Sequence, residues 1–361
     1  MNAIEMSNNP VSLPAPSRWL GKRLTFLPEL DAYGGYGLHA TQYVRHWTNL
    51  GIHVSIRAIK VKECEDARIP LDIRKRFVHC DQPEPWELIL SPASFCPMGR
   101  RKSAYFTMYE SSRWSPKMVK LINRADAAIV PCEWNRQGLI QSGVIVPIFL
   151  VPLGYGELFR PQPMDMTGPC VFGAAGRMSH GAVRKGLNAV IDAFLKEFPN
   201  EPDVQLWIKG FSDSPTKYVS DRRIVVREGF LTEPQLAEWF SRLTCFVSAA
   251  RGEAWGLMQL EAMASGRPVI AAIHGGLAEF MTPENSYSVD FDEELSGEAW
   301  CNGGSWAVPS ESHMRHLMRR VYRDRQMAQA KGVAAAEDVK NLTWMNSATK
   351  TLEVLESLDA I

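Results

Sequence analysis

The chain has 361 residues, 45% hydrophobic and 22% charged, which is long for one domain and comfortable for two. Its 40 Lys and Arg balance 40 Asp and Glu, so bulk charge does not advertise a nucleic-acid or anionic-membrane partner. Seven cysteines, an odd number with no Cys-x-x-Cys pair, argue against a disulfide framework or a structural zinc and for reduced thiols in a cytoplasmic protein.

Residues 1–20 carry Pro, Ser and Asn and lack a basic start followed by an apolar stretch, so they read as a loosely ordered tail, not a signal peptide. No run of about 18 apolar residues occurs, and no membrane span is expected. From Arg23 the pattern is α/β: RLTFLPE predicts a strand, DAYGGYG a Gly-rich loop, and LHATQYVRHWTNLG a helix closed by Gly51. HVSIRAI, ELILSP, SAYFTMY, AAIVP and PIFLVPLG predict further strands, with helices at SPKMVKLINRA and CEWNRQGLIQSG. ELFRPQPMDMTGP, rich in Pro and aperiodic, marks a linker, and the pattern then restarts. CVFGAAGR, VQLWIKG, RIVVREGF, TCFVSAA and PVIAAIHGG predict strands, and RKGLNAVIDAFLKEF, EPQLAEWFSRL and GLMQLEAMASG predict helices. From about Ser310 the chain reads as largely helical. Strands alternating with helices imply two Rossmann-like domains with parallel sheets, residues 21–160 and 161–342, facing a cleft. Loops at the carboxyl ends of the strands should carry the chemistry.

The most informative of these loops lies in SAARGEAWGLMQLEAMASGRPVIAAIHGG, residues 248–276. Glu253 sits in a loop and Glu261 in the following helix, which Gly256 and Leu257 open. Backbone N–H groups at such a helix start receive phosphate or sugar oxygens, and Gly256 lets the backbone approach a ligand. A carboxylate at each end suits two separate hydroxyl groups. Two Glu eight positions apart would alone be solvated charges.

The run resembles the Glu-x7-Glu signature of the retaining GT-B glycosyltransferases of glycosyltransferase family 4, E-G-F-G-L-x-x-x-E followed by A-M-A-x-G-x-P-V-I. The chain departs from it at Ala254, which would tighten the loop, and at Trp255, which keeps an aromatic. FGAAGRMSHGAVRKGLNAVIDAF resembles the same family's G-R-x(n)-K-G element. The resemblance implies a GT-B fold, an N-terminal acceptor domain and a C-terminal donor domain, with residues 343–361 packing back on the N-terminal domain. It implies sugar transfer from a nucleoside diphosphate to a hydroxyl with retained configuration, no metal and no cofactor. Glu253 would hold the donor sugar, Glu261 the ribose, Arg177 and Lys185 the diphosphate, and Trp255, Gly256 and Leu257 would line the donor. Fixed cations stabilise a leaving diphosphate, and Lys185, directly before a Gly, is preferred to its neighbour Arg184.

Weaker signals remain. Gly35, in the first Gly-rich loop, and His274, before Gly275-Gly276, are donor-side candidates. Glu110 is an acceptor-side candidate or a helix cap. His39 and His46 share a helix face and read as packing or surface. Asp290-Phe291-Asp292 looks like a D-x-D metal motif but reads as solvated loop. Arg74-Lys75-Arg76 and Arg100-Arg101-Lys102 read as surface, yet suit a phosphate-bearing acceptor, which leaves open a hydroxymethylated pyrimidine in phage-type DNA. A non-catalytic sugar-nucleotide binder also stays open. A dinucleotide-dependent oxidoreductase does not fit, because GGYGLHA lacks the third Gly.

Overall fold

The structure, a computed structural model, describes residues 19, 21–30, 34–57, 60–61, 70–76, 86–92, 102–176, 182–210 and 220–359. The first half runs β1 (Arg23–Leu30), α1 (Gly35–Asn49), β2 (His53–Ile56), β3 (Lys60–Val61), α2 (Leu71–Arg74), β4 (Trp86–Leu90), β5 (Lys102–Phe106), α3 (Pro116–Ile122), β6 (Ala127–Val130), α4 (Glu133–Ser142) and β7 (Ile148–Leu150). The second runs β8 (Cys170–Ala175), α5 (Ala182–Lys185), α6 (Leu187–Glu197), β9 (Val204–Gly210), β10 (Ile224–Glu228), α7 (Glu233–Ser241), β11 (Cys245–Val247), α8 (Leu257–Ala264), β12 (Val269–Ala271) and β13 (Tyr287–Ser288). After these come the strands β14 (Phe291–Leu295) and β15 (Ser305–Pro309) and the helices α9 (Glu311–Arg323), α10 (Arg325–Val339) and α11 (Trp344–Asp359).

Two parallel sheets result. The first has the order β2-β1-β4-β5-β6-β7, with β3 paired to the end of β1, and the second has the order β10-β9-β8-β11-β12-β13. Central strands such as β4 and β6 are buried along their whole length, as strands covered by helices on both faces must be. In the second sheet the strand order reverses between β8 and β11. The crevice beyond the carboxyl ends of those two strands is where an open α/β sheet binds ligand. The loop after β11 carries Glu253; the residues after β8, including Arg177, lie outside the described set.

Sequence and structure differ in three places. The first Gly-rich segment is only partly loop, because α1 already begins at Gly35. The helix expected over RKGLNAVIDAFLKEF is divided at Gly186, whose φ of 61° is left-handed and leaves α5 as a separate turn before α6. Asp290-Phe291-Asp292 leads into an antiparallel hairpin, β14 with β15, that the sequence did not announce. Asp290 pairs there with His313 at 2.9 Å, and Asp292 is exposed.

The last helix crosses back to the first half. α11 lies on α1, and the buried Tyr43 hydroxyl meets Ser347 Oγ at 2.7 Å and Thr351 Oγ1 at 2.9 Å, while Trp47 Nε1 donates to Ala348 O. His39 is fully buried in the same seam, among Tyr43, Phe106 and Trp344. Burial pushes its pKa down to about 3, so it packs as a neutral ring. The described cysteines Cys132, Cys170, Cys245 and Cys301 are buried and unbridged. Among the described residues no helix is long and apolar enough to cross a membrane. Tyr43→Phe should cost about 1–2 kcal/mol in urea unfolding, since it leaves two buried hydroxyls short of a partner; an unchanged midpoint would remove this bond from the account of how α11 docks.

Candidate active site

The site is built at the strand-order reversal. Gly256 caps α8 with φ 95°, and a Cβ there would overlap Leu277. No side chain caps α8, and its first turn holds no acid, so its N–H groups face the crevice without a charge of the chain's own to meet them. The same holds at α1, where the N-cap is Gly34 and no side chain caps. The two helix starts lie close together: a Cβ on Gly35 would lie 3.4 Å from Leu257 Cδ1. The positive ends of two helices, one from each half of the chain, are thus neighbours.

Charged side chains crowd the same place. Lys185 Nζ lies 2.6 Å from Glu253 Oε1, and Arg184 Nη1 is 3.5 Å from Glu253 Oε2. Burial works to raise the pKa of Glu253, but the charges of Lys185 and Arg184 prevail and hold it below the ordinary carboxylate value. Glu261, in α8, is buried and feels the charges of Lys209 and Glu233. Burial pushes its pKa up to about 8, against the pull of Lys209 and with help from Glu233. In the free protein at neutral pH it is a protonated acid, able to donate as well as accept. This differs from the charged acceptor the sequence suggested.

Glycines let the surrounding loops close on Glu253. A Cβ on Gly186 would overlap Ala249 O, which lets the end of α5 approach the β11–α8 loop; there Arg251 N donates to Arg184 O at 2.7 Å. On the other side a Cβ on Gly275 would lie 2.6 Å from Glu253 O, and Gly276 N donates to that same oxygen at 2.8 Å. His274 stands just before this pair, with its ring against Trp134 and Phe291 and its Nε2 3.5 Å from Glu293. Burial lowers its pKa, with Glu293 opposing, and its Nδ1 has no partner among the described residues.

The Trp255 ring is 2% exposed and packs on Phe280 at 5.3 Å, beneath the loop that carries Glu253. Glu110 is no helix cap: Ser115 caps α3, accepting from Met118 N. Glu110 reaches across the cleft to Arg184, with Oε1 3.6 Å from Nη2. Arg177 lies outside the described residues.

Several contributors escaped sequence reasoning. Tyr36 ties α1 to the end of β5, its hydroxyl donating to Met108 O and accepting from Met108 N. Asn135, fully buried, makes two bonds to the Tyr109 backbone and braces the loop that carries Glu110. The hairpin β14–β15 leans on that loop. Trp306 Nε1 donates to Glu110 O at 2.8 Å, Ser305 N donates to Ser112 Oγ at 2.8 Å, Ser111 donates to Cys301 O, and Tyr109 donates to Trp300 O. A cavity of about 380 Å³ lies beyond it, lined by Arg113, Trp114, Gln141, Ser142 and Asn302. It sits at the far end of α4 from Cys132, whose thiol donates to Ala254 O, and takes no part in the charged cluster.

Comparison with known proteins agrees with this geometry. Residues 169–298 match the family model Glycosyl transferases group 1. A lipopolysaccharide core biosynthesis mannosyltransferase, LpcC, from Rhizobium leguminosarum bv. viciae is 28% identical to this protein over 205 residues, 53% of either chain. The chain thus aligns with about half the length of the curated relatives it first matches. Sucrose-phosphate synthase from Thermosynechococcus elongatus superposes with TM-score 0.70 at 18% identity, over 94% of this chain and 99% of the other. An Anabaena protein, Alr3699/HepE, solved with UDP and glucose, gives TM-score 0.65 at 15% identity over 93% and 99%. The architecture around the group 1 glycosyltransferase domain is therefore GT-B.

Glu261 provides a pH test. It binds its proton more tightly folded than unfolded, so its contribution to stability is full below the ordinary carboxylate value and is lost as pH rises through about 8. Glu261→Gln, which keeps the neutral form, should change the melting temperature little near pH 5 and raise it by about 2 °C or more at pH 8.5. An equal change at both values would mean that the carboxyl titrates normally. Gly276→Ala, by pushing Ala254 O away, should destabilise by about 1–3 kcal/mol in denaturant unfolding; wild-type stability would show that the loop yields freely.

Proposed function

We propose that the protein is a retaining glycosyltransferase that moves a sugar from a nucleoside diphosphate to an acceptor hydroxyl without a metal. The observation that carries this reading is the close approach of two uncapped helix starts, at Gly35 and Leu257, the second just after the loop whose Glu253 meets Lys185. Such a place is electrostatically incomplete until an anion enters, because cations sit poorly against helix N-termini. A diphosphate supplies that anion, and its charge grows as the sugar departs, when fixed N–H groups and cations stabilise it most.

In this reading Lys185 and Arg177 hold the diphosphate, with the backbone at Gly256 and Leu257. Glu253 accepts from hydroxyls of the donor sugar, and Glu261 engages the ribose. His274 stands beside the sugar, where its unpartnered Nδ1 finds a ligand oxygen. The bond from the anomeric carbon to the diphosphate oxygen breaks, and a bond to the acceptor oxygen forms on the same face. The acceptor proton passes to the departing phosphate, so no side chain is required as base. Glu110, on the acceptor-side loop, borders the space where that hydroxyl arrives. The LpcC-like relative is named as a mannosyltransferase, and the Anabaena protein was solved with UDP and glucose. UDP- and GDP-sugars are accordingly the first donors to test. Of the basic runs that left a nucleic-acid acceptor open, Lys102 lies over the Trp86 ring and donates to Leu358 O, and Arg100 and Arg101 fall outside the described residues.

A thermal-shift panel of UDP-, GDP- and ADP-sugars, with and without EDTA, should single out one nucleotide whose stabilisation survives the chelator. No shift with any of them, or a shift abolished by EDTA, contradicts the reading. With the cognate donor, Lys185→Ala should lower kcat by about 10²-fold or more; near-wild-type turnover would remove Lys185 from the diphosphate.

A further inference from the structure

Arg184 does not share the task of its neighbour. Its side chain is 16% exposed against 30% for Lys185, and its guanidinium is already committed within the protein. Nη1 donates to Gly252 O at 2.7 Å and lies 3.5 Å from Glu253 Oε2, while Nη2 lies 3.6 Å from Glu110 Oε1. Burial works against its charge, but Glu110 and Glu253 outweigh this and keep it above its ordinary value. A planar fork with fixed geometry suits three simultaneous acceptors of this kind, and a lysine does not. Glu110 is held from the second half of the chain at both ends, since its backbone oxygen accepts from Trp306 while its carboxylate meets Arg184. Gly252 completes the contact: a Cβ there would lie 2.7 Å from Glu110 O.

We propose that Arg184 is a cross-cleft positioning residue, which orients Glu253 for the donor sugar only while the Glu110 loop is docked, and which does not bind the diphosphate. The inference rests on the reading of Glu253 given above. Glu253 receives its orientation from Arg184 on one oxygen and Lys185 on the other. When the donor diphosphate draws Lys185 away, Arg184 alone keeps the carboxylate in place. Sugar transfer then depends on the position of the acceptor half, whereas nucleotide binding does not.

The test compares wild type with Arg184→Gln, Arg184→Lys, Glu110→Gln and the double variant Arg184→Gln/Glu110→Gln. UDP, GDP and ADP are titrated calorimetrically and the tightest is kept; turnover is followed as release of that diphosphate from its glucose and mannose donors to water. Diphosphate Kd should stay within about threefold throughout, while kcat falls about tenfold or more in both single Gln variants. The double variant should be no slower than the singles, because the two residues act as one unit, and Arg184→Lys should recover part of the loss. Hydrogen exchange at residues 108–115 and 304–308, measured without ligand, should quicken in both Gln variants. A weakened Kd in Arg184→Gln alone would make Arg184 a diphosphate ligand, and additive losses or unchanged exchange would also overturn the proposal. If wild type binds none of the three diphosphates, the glycosyltransferase reading fails, and the exchange measurement alone decides whether Arg184 and Glu110 latch.

Discussion

The architecture turns on one electrostatic constraint: two helices, one from each half, begin side by side with their positive ends uncapped. Neither α1 nor α8 places an acid in its first turn or a side-chain cap on its start. Lys185 and Arg184 add positive charge nearby, and Glu253 is the buried carboxylate that offsets them. Much else follows from keeping this arrangement in register. Gly186 and the pair Gly275-Gly276 let two loops approach within atomic contact of the Glu253 segment, and Tyr36 and Asn135 fix the opposite wall.

The two glutamates of the signature behave differently because their surroundings differ. Glu253 sits between two cations and is held in its charged form, whereas Glu261 feels Lys209 and Glu233 in opposite senses, and burial prevails. Two identical side chains with seven residues between them thus differ in character, one a fixed acceptor and the other a group that can donate or accept.

The parts of the molecule legible in the sequence are those encoded locally. Strands such as AAIV and CVFGAA are short apolar runs bounded by turn residues, and β6 and β8 appear there. Glu253, Gly256 and Glu261 lie within one strand–loop–helix unit, so their spacing carried their placement. What could not be read depends on distance along the chain. Glu110 and Arg184 are 74 positions apart, and nothing near either residue encodes their pairing. The hairpin stayed hidden because the strand FDEEL is exposed almost throughout and lacks apolar alternation. The packing of Trp255 against Phe280 was not legible either, because loop position does not reveal which way a side chain turns.

The return of α11 to α1 bears on how the chain is made. Tyr43 and Trp47 find their partners 301–308 positions later, at Ser347, Ala348 and Thr351. During synthesis the first sheet emerges early, yet one of its covering layers is made only after the whole second sheet. Until then the aromatic seam of His39, Tyr43 and Trp47 stands open to water, a sticky face on an otherwise folded nascent domain. A chain cut before residue 344 would keep that face uncovered.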